Sequence, residues 1–186
     1  MNDHVLDACH EYIDSPALPR YAIVVSGRWG SGKSHFLKTI QGQLLSQSRK
    51  VLYISLNGLA AASQIDDALF AQLHPILSNP RLKLAAKVAT SFVKATTSID
   101  LIGASDAETK LNFSIPGARL QEWFENADDS VLIFDDFERC RIHATELLGY
   151  INYFVEQTGQ KVLIGCSEEE IRPDERVAYD LVKEKV

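Results

Sequence analysis

Apolar residues along this chain fall into two kinds of run, and the two alternate. Short, mostly apolar runs, rich in β-branched residues, occupy residues 21–26, 50–56, 131–134 and 161–165, the second less cleanly than the others, and each is bounded by glycine or by polar residues. Runs of that length and composition predict strands buried on both faces, as in a parallel sheet. Between them the apolar positions recur at helical spacing. Val5, Ala8, Cys9, Tyr12 and Ile13 form one stripe, which ends at Ser15-Pro16. Phe36, Leu37, Ile40 and Leu44 form a second over residues 33–46. Ile65, Ala68, Leu69, Leu73 and Leu77 form a third over residues 63–77. Further helices are expected through Leu84, Val88 and Phe92, over residues 117–126, through Leu147, Leu148, Ile151, Phe154 and Val155, and over residues 174–186. Residues 99–103 and 110–115 read as a small hairpin insertion.

Strands alternating with helices predict an α/β fold: three layers, doubly wound around a mostly parallel sheet. The run 21–26 leads into Gly27-Arg28-Trp29-Gly30-Ser31-Gly32-Lys33-Ser34, and a helix pattern leaves that loop at once. Glycine at these intervals lets consecutive backbone N–H groups turn inward around phosphate oxygens, and the helix N-terminus adds its positive end. In this reading Lys33 reaches the β- and γ-phosphates of ATP and the Ser34 hydroxyl binds Mg2+. Arg28, Trp29 and His35 are candidates to stand beside the nucleotide, although Trp29 reads more readily as a packing residue and His35 as an ordinary first-turn helix residue.

The run 131–134 ends in Asp135-Asp136. That puts two carboxylates at the carboxyl edge of the sheet, where open α/β folds collect ligands. Asp135 is expected to hold magnesium or its water, and Asp136 to orient and deprotonate the water attacking the γ-phosphate. Turn acids capping the next segment would share the same residues. Ser167, after the strand 161–165, is a candidate hydrogen-bond donor to the γ-phosphate or a plain cap. Glu138 and Arg139 either support Asp136 or pair with each other at the surface.

Composition narrows the field without choosing a partner. The 186 residues suit one buried domain, expected to span 1–186, with 46% hydrophobic and 24% charged residues. A net charge of -6 opposes general attraction to nucleic acid or anionic membrane. Lys83, Lys87 and Lys94 form one candidate nucleic-acid patch, or a solvated helix face. The apolar stretch 82–103 is interrupted by Lys83, Lys87, Lys94 and Asp100, so no membrane span is expected. The start, Met1-Asn2-Asp3-His4, lacks a secretory signal pattern, which makes a cytoplasmic location the expectation. Cys9, Cys140 and Cys166 are odd in number and widely spaced, as buried thiols are.

Together the phosphate loop, with its tryptophan before Gly-Ser-Gly-Lys, and Phe134-Asp135-Asp136-Phe137-Glu138-Arg139-Cys140 resemble the KAP family of P-loop NTPases, within the wider AAA+/STAND-like group. The resemblance implies a phosphate-loop strand near the centre of the sheet, ATP rather than GTP, and hydrolysis coupled to assembly. Some members act in bacterial antiviral defence. It also implies a polar residue after the second strand that senses the γ-phosphate, a place matched by Asn57, which reads equally as an Asn-Gly turn. A fifth strand and a helical lid with further arginines have no counterpart before Val186. The expectation is therefore the N-terminal part of a larger protein, weak in turnover alone and completed by a homo-oligomer or an additional domain.

Three other functional classes are weighed against that ATPase reading. A nucleotide-dependent switch or scaffold would use the same residues with little turnover. A small-molecule kinase needs an acceptor pocket that the sequence does not display, and a GTPase needs a guanine-reading motif, which Thr109-Lys110-Leu111-Asn112 does not supply.

Overall fold

The structure, a computed structural model, describes residues 3–17, 20–73 and 130–183. In chain order these form α1 (Asp3–Asp14), β1 (Ile23–Ser26), α2 (Lys33–Ser46), β2 (Val51–Ser55), α3 (Ala62–Leu73), β3 (Val131–Asp135), α4 (Ala144–Asn152), β4 (Lys161–Cys166) and α5 (Arg176–Lys183). Each continuous apolar run is a strand, and each helical stripe among the described residues is a helix. Two single 3-10 turns, Phe137–Arg139 and Glu168–Glu170, follow β3 and β4, and a π-type turn, Tyr153–Gln157, closes α4 with Phe154 and Val155 buried. The expected hairpin, the helices through Leu84 and over 117–126, and the Lys83, Lys87 and Lys94 patch lie outside the described residues.

All four strands are parallel, in the order β1-β4-β3-β2. The register pairs Ser26 with Cys166 and Ser55 with Asp135, so the carboxyl ends of the strands form one edge. Among the described residues β1 is an edge strand bordered only by β4, in place of the near-central position the resemblance implies. A central place needs a neighbour on the far side of β1, and the described residues supply none.

Because strand side chains alternate between faces, the sheet divides two cores. Val25, Val51, Val131, Ile133 and Leu163 pack against Cys9, Tyr12 and Ile13 of α1 and Leu37, Ile40 and Leu44 of α2. Leu52, Ile54, Leu132, Phe134, Val162 and Ile164 pack on the other face, against Ile65 and Leu69 of α3 and Leu147, Leu148 and Ile151 of α4. Full burial of each aliphatic side chain contributes about 1.5–3 kcal/mol. The same alternation puts Tyr53, Asp135 and Gly165 on the α2 face, beside the helix that leaves the phosphate loop.

Two polar anchors complete the frame. The buried Lys161 ammonium donates to the carbonyls of Tyr12 (3.1 Å), Ser15 (2.8 Å) and Ala17 (2.9 Å), satisfying the end of α1 with a cation where the helix dipole favours one. On the outer edge of β2, the Gln72 side chain donates to the Tyr53 carbonyl (2.6 Å) and accepts from the Tyr53 amide (3.1 Å). A side-chain amide thereby takes the place of a neighbouring strand.

Candidate functional site

β1 delivers the chain to the phosphate loop at the carboxyl edge. The Gly27 amide donates to the Cys166 carbonyl (3.3 Å), and the Ser26 hydroxyl donates to Glu168 (3.0 Å), tying the loop's entrance to the end of β4. Gly30 and Gly32 have φ of +77° and +89°, a left-handed backbone that favours glycine. Those two turns let α2 begin at Lys33, with Gly32 as its N-cap and no side chain capping it. An uncapped helix start presents amide donors to an anion. The Lys33 ammonium donates to the carbonyls of Gly27 (2.7 Å) and Arg28 (3.1 Å), so it folds into the mouth of its own loop.

Arg28, Trp29, Ser31 and His35 are exposed around that mouth, and Ser34 is half-buried. A cleft of about 590 Å³ opens here, walled by Gly27, Ser31, Gly32, Lys33 and His35 and, on its apolar side, by Val5, Leu6 and Phe36. Trp29 is 76% exposed, so it is not a core residue. Instead the Arg139 guanidinium lies 5.1 Å from its ring centroid.

The acid pair stands at the end of β3. Asp135 is 1% exposed. One of its oxygens accepts the Asp136 amide (2.9 Å) and the other accepts the Tyr53 hydroxyl. Asp136 is less buried and has φ of +59°, a left-handed conformation uncommon for a residue with a side chain. Its carboxylate accepts the Ser55 hydroxyl (2.9 Å), and Arg139 Nε stands 3.8 Å from its second oxygen. Glu138 turns the other way and accepts the Ser167 amide (2.9 Å). Glu138 and Arg139 thus serve opposite sides of the site rather than each other.

Ser167 is 1% exposed, and its hydroxyl has no hydrogen-bond partner among the described residues. The hydroxyl makes no cap hydrogen bond to the turn that follows, and an unpaired buried hydroxyl costs about 1–3 kcal/mol. Asn57 is exposed in the turn after β2, while the residue that reaches Asp136 from that strand is Ser55.

Four contributors escaped the sequence reading. Tyr53 and Ser55 act across 82 and 81 positions of chain, so only the β2–β3 register reveals them. Gly165 faces the Asp135 carboxylate and Leu37; a methyl group there would collide with Asp135 and approach Leu37 Cδ1 to 2.6 Å. Its signal was a glycine inside an otherwise apolar strand. Glu168 is the fourth. Burial pushes its carboxyl up, but hydrogen bonds from Lys183, Ser26 and Tyr179 outweigh this and hold it below the usual carboxylate range.

Burial pushes the Cys166 thiol up to about 12, with the Glu138 charge adding to the effect, which leaves it an unreactive packing group. Cys9 and Cys140 are also buried and free. Among the described residues no cluster of three or more His, Cys, Asp or Glu side chains could hold a metal by itself. One hydroxyl and one carboxylate, Ser34 and Asp135, do match magnesium, which takes few protein oxygens and completes its octahedron with phosphates and water. No described helix is long and apolar enough to cross a membrane.

Comparison with known proteins agrees with this geometry at the level of the family. Residues 2–175 match the KAP family P-loop domain. Searches of curated proteins and of solved structures returned no match. With a match over most of its length, a parallel sheet and a glycine loop opening onto an acidic strand end, the chain belongs to the KAP family of P-loop NTPases.

Proposed function

We propose that the chain is an ATP-binding and ATP-hydrolysing module whose turnover drives an assembly or remodelling step. The carrying observation is the orphaned Ser167 hydroxyl, buried at the same edge as the uncapped α2 terminus and the acid pair. Membership in a nucleotide-binding family supports the same reading.

In this reading the loop amides from Gly27 to Ser34 and the Lys33 ammonium hold the phosphates, with Arg28, Trp29 and His35 lining the entrance. Lys33 exchanges two carbonyl partners for phosphate oxygens, so the loop pays little to open. Magnesium, held by Ser34 and Asp135, would neutralise charge on the phosphates. Asp136, oriented by Ser55 and Arg139, receives a proton from the attacking water, and Ser167 donates to the γ-phosphate side. Asn57 stands at the rim, two residues beyond Ser55. A second copy or a further domain supplies the arginine that completes the site, and bacterial antiviral defence is the setting the family suggests.

Phosphate release by wild type and by Asp136→Asn, measured on assembled protein, separates an ATPase from a nucleotide-dependent switch. The ATPase reading expects release from wild type and its loss in the variant, with ATP binding retained. Equal, near-zero release from both, with binding intact, would leave only the switch.

A further inference from the structure

We propose that Tyr53 is a positioning residue for the magnesium site, its hydroxyl fixing the Asp135 carboxylate. This rests on the nucleotide site just described. Tyr53 sits in β2 opposite Ile133, two residues short of the Ser55–Asp135 pair. On the α2 face its ring runs along the sheet toward the carboxyl edge, where the phenol donates to Asp135 Oδ2. One side chain therefore fixes the buried carboxylate that fits a magnesium ion.

The direction of this hydrogen bond follows from what each group can do: an ionised carboxylate only accepts, so the Tyr53 proton points to Asp135. Asp135 meanwhile is fixed from two sides, through the Asp136 amide on Oδ1 and Tyr53 on Oδ2.

Tyr53 is held well enough to impose that geometry. Its backbone is bonded to Gln72 on the outer side and runs beside β3 on the inner. The Lys38 ammonium lies 5.7 Å above its ring. Burial pushes the Tyr53 hydroxyl well above its ordinary range, and the Asp135 hydrogen bond adds to this, so the phenol remains a donor at neutral pH. Partners that orient metal ligands in this way are worth about 10- to 100-fold in metal affinity.

The test compares wild type with Tyr53→Phe, which removes one oxygen and keeps the ring. ADP affinity is measured in EDTA, and Mn2+ affinity of the ADP-saturated protein by the loss of the free-ion electron paramagnetic signal. Unchanged ADP affinity in EDTA, with Mn2+ affinity lower by about 10- to 100-fold, is expected. Equal Mn2+ affinity in both proteins overturns the role of Tyr53. A wild type that binds ADP neither with nor without Mn2+ overturns the nucleotide site itself. Should the phenylalanine variant not fold, 3-fluorotyrosine placed at position 53 reports instead by its fluorine resonance. A resonance that moves when Mg2+ joins ADP and returns with EDTA supports the role, and one that stays in place refutes it.

Discussion

The phosphate loop and the acid edge converge on one site, yet they are built in opposite ways. The loop is exposed backbone: Arg28, Trp29, Gly30, Ser31 and Gly32 all face solvent, and its shape comes from two left-handed glycines. The acid edge is buried side chain: Asp135 and Ser167 are each 1% exposed, and their hydrogen-bond partners arrive from β2 and from the turn after β3. A change in the loop should alter what is bound and leave the fold alone. A change at the acid edge should alter both, because the groups that would meet the nucleotide are also part of the core.

Gly165→Ala should break the contrast most sharply, since its methyl group has to displace either Asp135 or Leu37 in the closed α2 core. A loss of about 1–3 kcal/mol is expected in thermal or denaturant unfolding, together with loss of metal-dependent nucleotide binding. A variant as stable as wild type would show that the acid edge is looser than drawn.

Ser167→Ala sharpens the contrast through opposite signs. Removing an unpaired buried hydroxyl should raise the stability of the nucleotide-free protein by about 1 kcal/mol. Phosphate release, in contrast, should fall by about a hundredfold if that hydroxyl serves the reaction. A drop in stability on unfolding would mean that Ser167 has a structural partner.

Arg28→Ala is the smallest expected effect. Its ion pair with Glu169 spans 3.4 Å between side chains that are 83% and 67% exposed, where solvent and salt screen the attraction. Unfolding free energy should stay within about 0.5 kcal/mol of wild type. A larger loss would move the loop into the structural half of the comparison.

How much of this could be read from sequence follows from the same division. The loop lies in one contiguous stretch between a strand run and a helix stripe, so its residues and its place in the fold were legible. Asp135 and Asp136 were legible because they end an apolar run. Their supports were not. Asn57 and Ser55 are both polar residues at the end of β2, and only the pairing of Ser55 with Asp135 shows which of them reaches Asp136. Tyr53 looked like one more residue of a buried strand until the alternation of faces and the register put its hydroxyl on Asp135. Likewise the order β1-β4-β3-β2 of the described strands comes from their pairing, which no local pattern encodes.

Calorimetric titration of the chain with MgATP, beside Lys33→Ala under the same conditions, bears on the phosphate site without any intermediary. Wild type should give a saturable heat and a higher unfolding temperature with nucleotide, and Lys33→Ala should give neither while unfolding at the same temperature in its absence. No heat from wild type, or the same heat from both proteins, would contradict a triphosphate held by the Lys33 loop.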